Sequence, residues 1–157
     1  MSVNIYLVGK LKNALLGELV DDYVTRIRRF APCQVHVLKE AAYRDEKKYA
    51  KEIIESEGKT ILSRVATDAH CVLLERKGQS RSSMDFSYLI DRLLFQERRQ
   101  IAFVIGGFLG VSEAVLQRAD TVLSLSEMTF THEIAALLLT EQIFRALTIA
   151  RHIPYHK

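Results

Sequence analysis

Ile101-Ala102-Phe103-Val104-Ile105-Gly106-Gly107-Phe108-Leu109-Gly110 is the stretch on which the fold turns. Its first five residues are all apolar, three β-branched and one aromatic. A strand with no polar face belongs inside a parallel sheet covered by helices on both sides. Three glycines within the next five residues follow at once. They mark the strand's carboxyl end as a sharp turn or as a place where a ligand meets backbone with no Cβ in the way; the spacing leaves both open. Gly106-Gly107-x-x-Gly110 is neither the GxGxxG fingerprint nor a P-loop, since no Lys-Ser/Thr follows it, so a phosphate cradle is unsupported.

Outward from this run, strands are expected at residues 3–8, 34–38, 71–74 and 121–125 as well as 101–105. Apolar residues at helical spacing predict helices over 12–30, 46–65, 83–99, 112–119 and 131–150, with Ser112 placed to cap the fourth. Strands alternating with helices imply βαβ units, hence an α/β fold built on a mostly parallel, five- to six-stranded sheet flanked by helices. The two prolines, Pro32 and Pro154, fall where helices have ended and mark no linker. Residues 44–51 read as the solvated start of a helix. At 157 residues the chain fits a single domain, 1–157.

Apolar residues at 48% and charged residues at 26% exclude a disordered chain. A net charge of +3 and a pI near 8.9 permit a polyanionic partner but fall short of a duplex-binding basic stripe. Cys33 and Cys71 each open a short apolar run and read as core thiols, with no CxxC or His/Cys cluster to suggest a disulfide or a metal site. No run approaches the ~20 apolar residues that cross a bilayer, and the N-terminus lacks a signal-peptide pattern. A cytoplasmic protein with no membrane role and no metal is the expectation.

Ligands of an open parallel sheet bind beyond the carboxyl ends of its strands. Three such ends stand out: Leu74 to Gly78, Gly106 to Gly110, and Ser124-Leu125-Ser126-Glu127-Met128-Thr129-Phe130, where small polar residues alternate with apolar ones. Backbone amides and a thioether there suit the edge and face of an adenine ring, although a long connection around a buried Met fits the same pattern. Of the five histidines, His36 and His70 read as core or strand-end residues. His132 opens the last helix beside the third loop, and His152 and His156 lie in a tail with Arg151, Tyr155 and Lys157.

At these loops the chain resembles the large-subunit rRNA pseudouridine N3-methyltransferase (RlmH) family of the SPOUT superfamily. The resemblance runs through Tyr6-Leu7-Val8-Gly9-Lys10, Glu57-Gly58-x-x-Ile61-Leu62 and Leu74-Glu75-x-x-Gly78. It is densest in Phe103-Val104-Ile105-Gly106-Gly107-x-x-Gly110, Leu123 to His132, Glu141-Gln142-x-x-Arg145-Ala146 and Tyr155-His156-Lys157. It implies a C-terminal deep trefoil knot, a homodimer, and S-adenosylmethionine held in bent form by Leu74, Gly106, Leu125, Ser126, Glu127, Met128, Thr129 and Phe130. The implied reaction moves a methyl group to N3 of a pseudouridine in the 23S ribosomal RNA of an assembled ribosome. The acceptor proton would go to a positioned His or Tyr. His132, Tyr155 and His156 are the candidates, with Arg145 for a phosphate or base carbonyl, and Arg26, Arg28, Arg29, Arg151 and Lys157 along the RNA approach.

The chain departs from that family's pattern at Thr131, where proline is usual, at Ala136, where arginine is common, and at Leu109 and Phe144. These departures motivate a second reading, a catalytically weakened ribosome- or RNA-binding protein of the same fold. A flavodoxin-like or dinucleotide-binding protein would share the βα alternation but has no phosphate fingerprint here.

Overall fold

A computed structural model describes residues 1–97 and 99–156. Lys157, part of the expected tail site, lies outside the described residues. Five strands, β1 (Ser2–Val8), β2 (Cys33–Leu38), β3 (His70–Ser80), β4 (Gln100–Ile105) and β5 (Thr121–Ser124), form one sheet in the order β2-β1-β4-β3-β5. Every pairing is parallel. The helices are α1 (Ala14–Ile27), α2 (Ala50–Arg64), α3 (Ser83–Asp91), α4 (Glu113–Arg118) and α5 (His132–Ala150).

Alternation along the strands sorts the core into two layers. Val3, Ile5 and Leu7 of β1 and Ile101, Phe103 and Ile105 of β4 pack with α1, α3 and α5 on one face. Tyr6 and Val8 with Ala102 and Val104 pack on the other face, against Ile61 of α2 and Val115 of α4. The run 101–105 is thus an interior strand, flanked by Ile5 and Val72 on either side of Phe103. Cys33 and Cys71 are buried free thiols whose burial pushes their pKa up to about 11. His36 stacks on Tyr6 and bonds Asn4, while His70 bonds Thr121, so both serve the sheet.

The departures from expectation are local. The second helix begins at Ala50 rather than 46, because Glu46, Lys47 and Lys48 are exposed and have nothing apolar to bury; Asp45 instead closes a turn by accepting from the Lys48 N–H at 3.0 Å. The third helix widens after Asp91 into a π turn over Arg92–Gln96, which keeps Leu93 and Leu94 both in the core. Strand β3 does not end at 74. Leu74 pairs with Leu123, residues 75–78 leave the ladder, and Gln79 pairs with the same Leu123.

Gly78 makes that excursion feasible. A Cβ at this position would lie 2.8 Å from the backbone carbon and oxygen of Val122, atoms that cannot step aside. Gly78→Ala is expected to cost about 1–3 kcal/mol or more, read as a lowered midpoint in chemical denaturation. An unchanged midpoint would show that the β3–β5 approach tolerates a side chain.

Candidate active site

A cavity of about 580 Å³ opens at the carboxyl ends of β3, β4 and β5. The β3 excursion supplies Leu74, Glu75 and Arg76 to its wall; the glycine-rich turn supplies Gly106, Gly107, Phe108, Gly110 and Val111. The segment after β5 adds Leu125, Ser126, Met128, Thr129, Phe130 and Thr131, and the first turn of α5 adds His132 and Ala135. Of the residues expected to hold a cofactor, Leu74, Gly106, Leu125, Ser126, Met128, Thr129 and Phe130 therefore share one cavity. Glu127 is exposed and does not line it.

Each wall is held for a visible reason. The Ser124 hydroxyl lies 2.9 Å from the Arg76 carbonyl and 3.0 Å from that of Ser126, tying the β3 excursion to the β5 exit. The Ser126 hydroxyl accepts the Met128 N–H at 3.0 Å. The small polar residues of this segment thus fold the loop, and Met128 is not buried but 73% exposed at the mouth. The glycine-rich turn closes with Gly110 N–H donating to the Gly107 carbonyl at 3.1 Å, and Gly110 takes a φ of +98°. Beneath it, a Cβ on Gly107 would fall 2.5 Å from a Glu57 carboxylate oxygen, and one on Gly58 would fall 2.2 Å from the Ser112 hydroxyl. Helix α2 therefore forms the floor of the turn.

His132 is set by contacts on both sides. Thr131, at the site of the family's usual proline, caps α5 by accepting from the Ile134 N–H at 3.4 Å. Glu133 accepts from the backbone N–H groups of Lys12 and Asn13, docking α5 on the β1–α1 loop. The His132 Nε2 lies 3.0 Å from the Lys10 carbonyl, which can only accept. Nε2 therefore carries a proton, and Nδ1 has no hydrogen-bond partner among the described residues.

The other three catalytic candidates are elsewhere. Arg145, Tyr155 and His156 gather around Glu141, which accepts from the Arg145 guanidinium and, at 3.1 Å, from the Tyr155 hydroxyl. Tyr155 stacks edge-on against Phe144 at 4.9 Å, and its hydroxyl lies 3.4 Å from that of Tyr23. Its pKa is raised by the hydrogen bond to Tyr23, by burial and by Glu141, so the phenol stays protonated and is a donor rather than a base. Arg145 also donates to His156 Nδ1 at 3.3 Å, fixing that nitrogen as an acceptor. The tail is folded rather than frayed: His152, at φ 54°, takes the left-handed position after α5, and Ile153 N–H returns to the Thr148 carbonyl at 2.9 Å.

Thirteen residues of α5 separate His132 from Arg145, which at the helical rise of 1.5 Å is about 20 Å. One chain therefore does not bring the two sets together. The supports Tyr23, Glu57 and Glu141 were not expected as site residues. Only the string Glu57-Gly58, a carboxylate next to a helical glycine, hints at a close backbone approach.

The lining combines apolar walls, glycine backbone and small hydroxyls. A sequence model of the family described as "Predicted SPOUT methyltransferase" matches residues 1–156. The chain belongs to this family. Full-length relatives carry the name "Ribosomal RNA large subunit methyltransferase H". They include proteins from an Exiguobacterium species and from Bacillus pumilus, each 38% identical over 159 residues, and from Clostridium acetobutylicum, 39% identical over 164 residues, all covering 100% of both chains. The SPOUT assignment fits the knotted C-terminus that the sequence resemblance implies.

Glu57 is 4% exposed, and its one hydrogen-bond partner among the described residues is the Ala41 N–H at 3.1 Å. Burial raises its pKa, with Glu40 adding to the rise and the Ala41 bond opposing it. A raised carboxyl pKa contributes stability that is complete below the ordinary glutamate value, about 4.3, and is lost as pH rises through the folded value. Glu57→Gln keeps an acceptor for Ala41 and removes the charge. Its thermal midpoint should exceed that of the wild type near neutral pH and match it in acid; the same difference at both would remove the buried charge as the cause.

Proposed function

We propose that the chain acts as one methyltransferase unit that uses S-adenosylmethionine to methylate N3 of a pseudouridine in large-subunit rRNA of the assembled ribosome, in the cytoplasm. The observation that carries this reading is the cavity where seven of the eight expected cofactor residues meet His132. Consistent with it, no helix among the described residues is long and apolar enough to cross a membrane.

Leu74, Leu125, Met128 and Phe130 would enclose the adenine, and the backbone at Gly106 would lie along the rest of the cofactor. When bound, the cofactor supplies a methyl group activated by positive charge on its sulfur. His132 lines the cavity and would accept the proton of the attacking ring nitrogen through Nδ1, the nitrogen that Lys10 does not occupy. Fixing Nε2 on the Lys10 carbonyl keeps the ring in the tautomer this requires. Thr131 caps α5, and Ala136 is a buried core residue of the same helix.

The tail cluster joins the site only through a second copy. Leu15 and Leu19 on α1 and Leu138 on α5 are exposed apolar side chains on adjoining helices. Leu138 lies midway between His132 and Arg145. A two-fold axis passing near it would set each tail beside the partner's cavity, making the homodimer the working unit. There Arg145 and His156 meet the incoming RNA, with Tyr155 holding them in place.

Methyl transfer to 70S particles, separated subunits and free RNA, with mapping of the modified nucleotide, tests cofactor, reaction and substrate together. No labelling of any particle by protein that binds the cofactor would select the RNA-binding reading instead. His132→Ala should lower kcat by about 10²–10⁴-fold with little change in cofactor affinity. Mixing it with an equally inactive Arg145→Ala chain should restore about a quarter of wild-type activity, since half the dimers then hold one intact site. No recovery would confine each site to one chain.

A further inference from the structure

The mouth of the cavity carries an aromatic ring held ready in water. Gly107 and Gly110 close a bridged turn with Phe108 and Leu109 at its tip. The turn has no slack below, since the Glu57 carboxylate fills the space a Gly107 side chain would take and Ser112 sits against Gly58. On this support Phe108 lines the cavity yet is 64% exposed. Across the opening, from the segment after β5, stand the exposed side chains of Met128 and Phe130. Arg76, exposed on the β3 excursion, completes the rim and forms no ion pair among the described residues.

Phe108, the large apolar side chain of the rim not assigned to the cofactor, calls for a flat, partly apolar occupant. Resting on the function proposed above, the methyl acceptor comes to this mouth. RNA loops offer unstacked bases, whose faces stack on aromatic rings, and a ring already fixed loses little freedom when one does so. The second copy proposed above would dock through Leu15, Leu19 and Leu138, on the α1 and α5 side, and bring its tail to the cavity, whereas α2 supports the Phe108 turn from the opposite face of the sheet.

We propose that Phe108 is the stacking platform for the methyl-accepting base, with Arg76 placed to meet the adjoining phosphate. Phe108 thus selects and orients RNA while taking no part in holding the cofactor.

The test compares full-length wild type, Phe108→Ala and Phe108→Trp for cofactor affinity by calorimetry, for kcat and KM on assembled ribosomes, and for oligomeric state by light scattering. Phe108→Ala should raise KM for ribosomes by about tenfold or more while cofactor affinity, oligomeric state and thermal midpoint stay as in the wild type. Phe108→Trp should restore KM. An unchanged KM in Phe108→Ala, with the wild type active, overturns the platform alone. A loss of cofactor affinity matching the loss of activity means that the ring covers the cofactor, and dissociation means that it belongs to a subunit contact; either result overturns the proposal. A wild type that binds the cofactor and leaves every ribosomal particle unmodified removes the function itself, and the platform with it.

Discussion

Two backbones pass within contact distance where Gly78 crosses Val122 and Leu123, and the site depends on that crossing. Because position 78 carries no side chain, β3 can leave β5 for four residues and return to pair with the same Leu123. The excursion becomes a wall: it carries Glu75 and Arg76 to the cavity, and the Ser124 hydroxyl fixes it to the β5 exit. A bulkier residue would push the strands apart at the point where both walls of the cavity begin. The parallel sheet alone would supply strand ends; the crossing turns them into an enclosure.

A second layer of constraint works from below. Helix α2 touches the glycine-rich turn through a buried carboxylate and a missing Cβ, while α5 is docked on the β1–α1 loop through Glu133 and on Lys10 through His132. These polar contacts replace water on groups that would be costly to leave unpaired. They also fix the tautomer of His132 by geometry. The loops of the site are thereby as firmly placed as the elements they connect, which is what chemistry at a fixed distance needs.

The strands were legible because an interior parallel strand is apolar on both faces, and 101–105 can hardly be read otherwise. The loops that line the cavity were legible for a related reason, since a parallel sheet leaves its carboxyl ends as the place for ligands. What escaped reading was long-range. The continuation of β3 through Glu75-Arg76-Lys77 has no alternation to announce it and exists only because β5 is there to pair with. The return of the tail onto Phe144 rests on a left-handed His152, where a sequence reader looks for glycine. Tyr23, Glu57 and Glu141 act through partners 132, 50 and 14 residues away in the chain, contacts no local pattern encodes. The resemblance placed Arg145, Tyr155 and His156 in one catalytic group with His132, but could not say that they stand a helix-length apart.

That helix-length has a consequence in time as well as space. On the function proposed here, α5 is a rigid spacer that keeps the two halves of the chemistry out of each other's reach within any one molecule. A newly made chain is then inert whatever cofactor it meets, and at high dilution the output of the enzyme falls with the square of its concentration. On that reading catalysis becomes a property of encounters, and the rate of methylation would rise more steeply than the abundance of the chain.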